Sequence, residues 1–488
     1  MQLKRSIVFL IVVLAAVLSS RTSAQSDVAF PREVYAARRA KLAARIDGAA
    51  AVIPGRHLVG ASGLFEQDPN FWYLTGVESP YAVLVLAGGR STLFLPGRHQ
   101  FAGAQYPMAD PAFRDAAWNR PRGRLAPGPD AVQATGVDET YPIDEFARRL
   151  PELVAGAGAV FIPRDTAELY APPGMALPRS MERQFEEAIR ALLPGQAVED
   201  LTPALRAMRI VKDAYEIAAL RTAAAISGEG LVAAMRAVRP GVNDREVAGL
   251  MEYVWKRAGS PRAAFAPIVA SGINAMTLFT LMGERYNAVD RVMHDGDLLF
   301  VDYGAAEFRT YAADLCRTLP VSGRFTPDQR KYYDIVLEAQ EAAIAAMRPG
   351  VMMIEAVRAA ARVFERHGLR EFEDIGRMGA DRVWGIMPSP THYLARDAGI
   401  VRYSATGFGV RDLGHHIGLD VQDGRDYSRP LAPGMVITVE PKLYIPELEI
   451  AIMIEDMILI TPTGHDNLSA GTPKRAEDIE RVMGPGGR

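Results

Sequence analysis

Asp302 and Glu455 each lie inside an apolar run that reads as a buried strand, Leu298-Leu299-Phe300-Val301-Asp302-Tyr303-Gly304 and Met453-Ile454-Glu455-Asp456. An unpaired carboxylate is costly to bury, so a fold that buries these two has to pair them or leave them protonated. Three more residues of the last third stand in similar frames. They are Asp314 in Tyr311-Ala312-Ala313-Asp314, His415 in Gly414-His415-His416-Ile417-Gly418-Leu419-Asp420, and Glu440 in Val439-Glu440-Pro441. Four carboxylates carry four negative charges, which two divalent ions would balance. Without ions they would repel one another, and some would take up protons. Carboxylate oxygens with one imidazole suit Mn²⁺, Co²⁺, Fe²⁺ or Zn²⁺ without choosing among them. Two such ions can hold a hydroxide and polarise a carbonyl.

Strand periodicity arranges these groups. In a strand over Glu449–Ile460, Met453, Glu455 and Met457 share one face, and Val436, Thr438 and Glu440 share one in Met435–Glu440. A lone acid at a strand end is ordinarily a cap or a surface charge. Acids within apolar strands do not fit that reading.

The chain has 488 residues, 49% hydrophobic and 23% charged, which is ordinary soluble composition and length for two or three domains. A net charge of −3, with Lys and Arg scattered, gives no electrostatic case for nucleic acid. Lys4 and Arg5 precede an apolar run from Ile7 to Leu18, and Thr22-Ser23-Ala24 offers a cleavage site before Gln25. This is the pattern of a secretory signal, so the mature protein is expected to be exported, periplasmic or secreted. The run is shorter than the ~20 residues a bilayer requires, and no other stretch reads as long and apolar enough to span. Cys316 is the single cysteine. It sits in an apolar run and reads as a buried, inert thiol.

Along the chain, residues 1–24 read as the signal and 25–200 as one α/β domain. That domain has a helix from Pro31 to Ile46, strands Ala49–Ile53, Ala82–Leu86 and Ser91–Leu95, and helical stretches Ile143–Val154 and Ser180–Leu193. Residues 201–488 read as helices packed on an antiparallel sheet, an α+β arrangement. The stretch from Leu201 to Leu220 reads as a linker passing into a helix. Helices are expected at Asp213–Arg236, Asp244–Ala258, Pro327–Met347 behind Thr326, and Met353–His367. Strands are expected at Asp297–Tyr303, Tyr311–Leu319, Met435–Glu440 and Glu449–Ile460. There is no Gly-x-Ser-x-Gly elbow, phosphate loop or zinc cysteine cluster.

At this point the residues resemble the pita-bread metallopeptidases, specifically aminopeptidase P and prolidase, over about residues 30–485. The resemblance is carried by Phe65-Glu66-Gln67-Asp68-Pro69-Asn70-Phe71-Trp72-Tyr73-Leu74-Thr75-Gly76, Ile268-Val269-Ala270-Ser271-Gly272-Ile273-Asn274, Arg317-Thr318-Leu319-Pro320-Val321-Ser322-Gly323 and Pro433-Gly434-Met435-Val436-Ile437-Thr438-Val439-Glu440-Pro441. It implies a C-terminal pita-bread fold behind a smaller creatinase-like N-terminal domain. It also implies two divalent ions, most often Mn²⁺, and release of an N-terminal residue preceding proline from a small peptide. Asp302, Asp314, His415, Glu440 and Glu455 would be the metal ligands, Glu455 bridging the ions and Glu440 also shuttling a proton. A homodimer or tetramer is implied.

The chain departs from the family pattern around these ligands. Where the family has a histidine after the Gly-x-Asn segment, one alignment places Phe279-Thr280 and another Arg285-Tyr286. The histidine four residues before the ligand histidine is Arg411. The family's Val-His-Asp is Val421-Gln422-Asp423, the arginine of its Arg-Ile-Glu-Asp is Met453, and the glycine of its Glu-Pro-Gly is Lys442. Arg411, Gln422, Lys442 and Met453 therefore become the candidate substrate-binding residues. Asp302 and Asp314 are also one residue further apart than the family spacing, which a bulge or longer turn around Gly304-Ala305-Ala306 would absorb. Each lost hydrogen-bond donor to an oxyanion commonly costs on the order of 10²–10³ in rate. Two readings follow: an aminopeptidase with altered substrate preference, or a protein that binds metal or peptide without turnover. His416 is expected to point away from the metal.

Overall fold

The computed structural model describes residues 28–57, 65–97, 125–164, 180–276, 290–303, 306–369, 392–396, 399–402, 413–424, 426–445 and 448–484. The signal segment, Phe279-Thr280, Arg285-Tyr286, Gly304, Ala305 and Arg411 lie outside the described residues. The chain divides into two compact units, Met1–Leu205 and Arg206–Arg488.

The first unit is built on a six-stranded mixed sheet. Its strands are β1 (Ala50–Pro54), β2 (Val83–Ala87), β3 (Arg90–Leu95), β4 (Glu139–Pro142), β5 (Val160–Ile162) and β6 (Val198–Asp200), in the order β4-β3-β2-β1-β5-β6. Ala87 pairs with Arg90 across Gly88 and Gly89, both at positive φ, the conformation a two-residue hairpin turn demands. Helices Phe146–Leu153 and Met181–Leu192 place Leu150 and Ile189 against Val52, Val85, Phe94 and Ile162 of the sheet. Two short helices, Pro69–Thr75 and Pro129–Thr135, escape the sequence reading. Buried Arg39 ties their ends together, donating to the Leu74, Thr135 and Gly136 carbonyls.

In the second unit, the long helices are α1 (Ala214–Ala237), α2 (Asp244–Arg257), α3 (Pro327–Ala346) and α4 (Met353–Arg366). Asp213 with Glu216, Asn243 with Glu246, and Thr326 with Gln329 form reciprocal capping boxes at the first three. The presumed linker contains a helix of its own, Thr202–Arg209. The expectation that no further stretch could span a membrane needs correction. By length and composition α1 could, but over half of its most apolar window is buried inside the protein, as in a core helix.

The strands of this unit are β7 (Ile268–Ser271), β8 (Leu298–Asp302), β9 (Glu307–Phe308), β10 (Tyr311–Ala312), β11 (Cys316–Pro320), β12 (His392–Arg396), β13 (Gly399–Arg402), β14 (Val436–Val439), β15 (Lys442–Ile445), β16 (Ile450–Met453), β17 (Asp456–Ile460) and β18 (His465–Asn467). They form ladders β11-β8-β7, β13-β12-β15-β16 and β14-β17-β18, plus the β9–β10 hairpin. All pairs are antiparallel except β12–β15. The unit is α+β.

Two strands expected to be continuous are interrupted. Tyr311–Leu319 breaks at Ala313–Leu315, and Glu449–Ile460 breaks at Ile454-Glu455. The second break has a clear cause: side chains take over the backbone bonds of a ladder. Gln340 Nε2 donates to the Ile454 carbonyl at 3.0 Å, and Arg317 Nη1 donates to the Glu455 carbonyl at 2.5 Å. Gln340 also donates to the Val439 carbonyl at 3.0 Å, at the gap between β14 and β15. Around the first break, Asp302 pairs with Cys316 while Glu307 pairs with Ala312. Gly304 and Ala305, where the sequence reading placed the extra residue, lie outside the described residues.

Candidate metal centre

The ligand positions follow from register. In the β14–β17 ladder Val439 stands opposite Asp456, and in the β15–β16 ladder Lys442 stands opposite Met453. These are one and the same antiparallel register, so Glu440 stands opposite Glu455 in the gap between the ladders. Asp302 ends β8, directly across from Cys316, and Asp314 precedes that cysteine by two residues. His415 lies on a segment zipped along β14: its N–H donates to Thr438 Oγ1 at 2.9 Å, its carbonyl accepts from Thr438 N at 2.9 Å, and Glu440 N donates to the Leu413 carbonyl at 2.7 Å. Gly414 permits this approach, since a Cβ there would lie 1.8 Å from the Thr438 carbonyl oxygen.

All five side chains are buried. His415 Nε2 lies 3.3 Å from Asp314 Oδ2 and 3.5 Å from Glu440 Oε1. Ligand atoms of Asp314, His415 and Glu455 lie within 4.8 Å of one another. His415 Nδ1 faces the His416 carbonyl at 3.2 Å. A carbonyl only accepts, so Nδ1 carries a hydrogen; Nε2 faces the carboxylates, to which it donates when protonated, and in the neutral ring it is the nitrogen that keeps the lone pair, as in a metal-ligating histidine. Asp302 Oδ1, Asp314 Oδ1 and Glu455 Oε1 are buried acceptors with no hydrogen-bond partner. Such orphaned oxygens on a Asp/Glu/His donor set fit divalent ions.

The electrostatics agree. Burial, then the charges of Asp314 and Glu440, push the Asp302 carboxyl well above its ordinary range. Burial and the other three carboxylates do the same to Glu455. Asp314 is raised by burial, with His415 pulling the other way. Burial lowers His415, but Asp314 and Glu440 outweigh it and the imidazole pKa is raised. Left to the protein's own groups, the cluster does not hold four full negative charges.

Among the described residues, Lys442 brings a cation into the cluster. Lys442 Nζ lies 2.5 Å from Glu440 Oε2. Burial lowers its pKa, but Glu440, Asp302 and Glu455 outweigh this and hold it above the ordinary lysine value. Of the other candidate substrate residues, Gln422 is exposed on the loop after His415. Met453 needs correction: it does not line an open wall. It is wholly buried against Ile268, Phe300 and Cys316. His416 packs its ring on Tyr427, and burial followed by Lys212 lowers its pKa to about 4. Cys316 is buried, and burial pushes its thiol well above the usual range.

Sequence reasoning missed the residues that hold the candidate ligands in place. Arg317 is fully buried and donates to the Cys316 and Glu455 carbonyls and to Asp456. Lys474 Nζ reaches Asp456 Oδ2 at 3.0 Å and Gln340 Oε1 at 2.9 Å. Asp423 pairs with Arg209 at 2.8 Å and Lys212 at 3.4 Å, and its N–H donates to the His416 carbonyl, pinning the loop behind His415. The available signal was the same one that exposed the ligands: Arg317 and Asp456 are charges within apolar strands.

Residues 218–462 match metallopeptidase family M24, and residues 35–161 match the aminopeptidase P N-terminal domain. The chain is 32% identical over 431 residues to Xaa-Pro aminopeptidase of Escherichia coli strain K12, covering 86% of this chain and 89% of that protein. It is 32% identical over 474 residues to Xaa-Pro aminopeptidase of Haemophilus influenzae, covering 93% and 97%. The solved structure of aminopeptidase P from E. coli with the inhibitor Pro-Leu matches with a TM-score of 0.71 at 29% identity, covering 93% of this chain and 98% of that one. With its two domains, its donor set and these relatives, the chain belongs to metallopeptidase family M24, as a metallo-aminopeptidase of the aminopeptidase P type.

Proposed function

We propose that the chain is an exported Xaa-Pro aminopeptidase that works with two divalent ions, manganese by the resemblance. It releases the N-terminal residue preceding proline from small peptides, with a substrate preference shifted by the absent histidines, and works as a homodimer or tetramer. The observation that carries this reading is the meeting of Asp302, Asp314, His415, Glu440 and Glu455 at one buried point with three carboxylate oxygens unpartnered. Export is supported by the basic, apolar and small-residue order of residues 4–24.

The ions, when bound by these five residues, would supply Lewis acidity to the scissile carbonyl and lower the pKa of water beside it. Glu440 accepts the proton of the attacking water and delivers it to the departing proline nitrogen. Thr438 Oγ1, 3.2 Å from Glu440 Oε1, and Lys442 on the other oxygen hold that carboxylate in place. Gln422 donates its amide to a peptide carbonyl but carries no proton. Arg411 and Lys442 supply cationic charge toward the peptide.

The test is hydrolysis of a panel of Xaa-Pro peptides by residues 25–488 loaded with Mn²⁺, with Glu440→Ala as control. Turnover that disappears in the control is expected. No turnover by protein shown to carry metal would overturn the substrate reading.

A further inference from the structure

We propose that Asp423 is a positioning residue for His415: through the His416 carbonyl it sets the aim of the imidazole, and Arg209 and Lys212 hold it there from the far side of the loop. The proposal rests on the reading of His415 as a metal ligand.

Backbone bonds to β14 place the main chain of His415 but do not turn its ring. They alternate along the segment. The His415 carbonyl accepts from Thr438 N at 2.9 Å, and Ile417 N donates to the Val436 carbonyl at 3.1 Å. The His416 carbonyl between them therefore faces away from β14. It meets two N–H groups there: His415 Nδ1 lies 3.2 Å from it, and Asp423 N donates to it at 2.8 Å. The first contact turns the ring so that Nε2 lies toward Asp314 and Glu440. The second fixes the carbonyl on which the ring rests. A partner on the nitrogen away from the metal is what orients a ligand histidine.

Asp423 is gripped in turn. Its carboxylate meets Arg209 at 2.8 Å and Lys212 at 3.4 Å, and all three side chains are buried. Arg209 also pairs with Asp420, so two acids and two bases make a neutral set behind the loop. Residues 209–212 are themselves anchored. Lys212 N donates to the Gly434 carbonyl at 2.8 Å, and Val211 pairs with Met435 at the head of β14. The fit leaves no slack: a Cβ on Gly418 would lie 2.0 Å from Asp423 Oδ2, and one on Gly424 would lie 2.3 Å from Ile210 Cγ1. Loop and anchor thus close a circuit around His415 that starts and ends on β14. A buried ion set adds little net stability over an apolar core of its volume. What this one secures is a single loop geometry.

The first readout is solvent exchange of the His415 Nδ1 hydrogen by NMR, in mature protein that is metal-free or loaded with Zn²⁺. Its signal is identified by its loss in His415→Gln. The second is Mn²⁺ affinity by calorimetry, with urea unfolding measured alongside. In Asp423→Ala the hydrogen should exchange roughly tenfold faster, the scale of one lost hydrogen bond, and Mn²⁺ should bind roughly 10- to 100-fold more weakly. Asp423→Asn keeps an acceptor for Arg209 and should recover part of both. Lys212→Met leaves the Arg209 pair, should move both readouts the same way by less, and decides the matter should Asp423→Ala not fold. Lower stability with unchanged exchange and unchanged Mn²⁺ affinity would overturn the proposal. If the wild type binds no Mn²⁺, the metal-centre reading fails. Exchange in the metal-free protein then decides the proposal alone, faster exchange in the variants supporting it and equal exchange overturning it.

Discussion

The Arg317 guanidinium meets the Asp456 carboxylate at 2.8 Å with neither side chain exposed, one residue away from the ligand Glu455. The same guanidinium holds the Glu455 carbonyl. Removing the charge in Arg317→Met leaves Asp456 and the Cys316, Glu455, Thr472 and Pro473 carbonyls each short of one partner. A loss of about 3–5 kcal/mol of unfolding free energy is expected, read by urea denaturation. A loss under 1 kcal/mol, on the scale of an exposed pair, would show that the pair does not hold this part of the sheet.

Asp456 also sets an acid limit. Burial raises its pKa, but Arg317 and Lys474 outweigh this and lower it to about 2. Because the folded value lies below the unfolded one, its contribution is complete above about pH 4 and fades as pH falls toward 2. It amounts to on the order of 2 kcal/mol. Unfolding free energy measured from pH 5 to pH 2 should fall less steeply in Asp456→Asn than in wild type. Equal slopes would remove Asp456 from the account.

The raised carboxyls of Asp302 and Glu455 predict a metal-linked proton release. Protons held by these groups must leave when an ion arrives. Mn²⁺ should therefore raise Tm more at pH 8 than at pH 5.5, and calorimetry in buffers of different ionisation enthalpy should register protons released. Metal binding with no buffer dependence would contradict the raised values. A chelator should lower Tm at neutral pH, and added Mn²⁺ should restore it.

Gln340 bridges the backbone at both strand gaps, donating to Val439 and Ile454 and accepting from Lys474. Gln340→Leu keeps the volume and leaves two buried carbonyls unsatisfied. The expected cost is roughly 2–4 kcal/mol, together with weaker Mn²⁺ binding, since each carbonyl adjoins a ligand in sequence. Lower stability with unchanged Mn²⁺ affinity would confine Gln340 to a structural role.

The buried cluster of Asp302, Asp314, His415, Glu440 and Glu455 was legible in the sequence because a charge within an apolar run has few ordinary explanations. The long helices were legible because their caps are local: Asp213 with Glu216, Asn243 with Glu246 and Thr326 with Gln329 each lie within one turn. The strand gaps were not. They depend on Arg317 and Gln340, more than a hundred residues from the Glu455 and Ile454 carbonyls they take, and a period-2 pattern carries no trace of such partners. The helix Pro69–Thr75 hid within a motif read as a whole, although Asp68 caps it through a 2.8 Å bond to Phe71 N.

Glu440 and Glu455 face each other because one pairing count runs unbroken from β14–β17 to β15–β16. The centre is therefore tolerant of length changes at one place and intolerant at another. Residues added between Ile445 and Ile450, beyond the last paired rung, lengthen the hairpin's tip and leave every rung below it as it was. A single residue added between Val439 and Lys442 puts the two ladders out of step and separates the glutamates, however well the protein folds around them. For anyone grafting a recognition loop or a reporter onto this chain, the hairpin tip is the usable end.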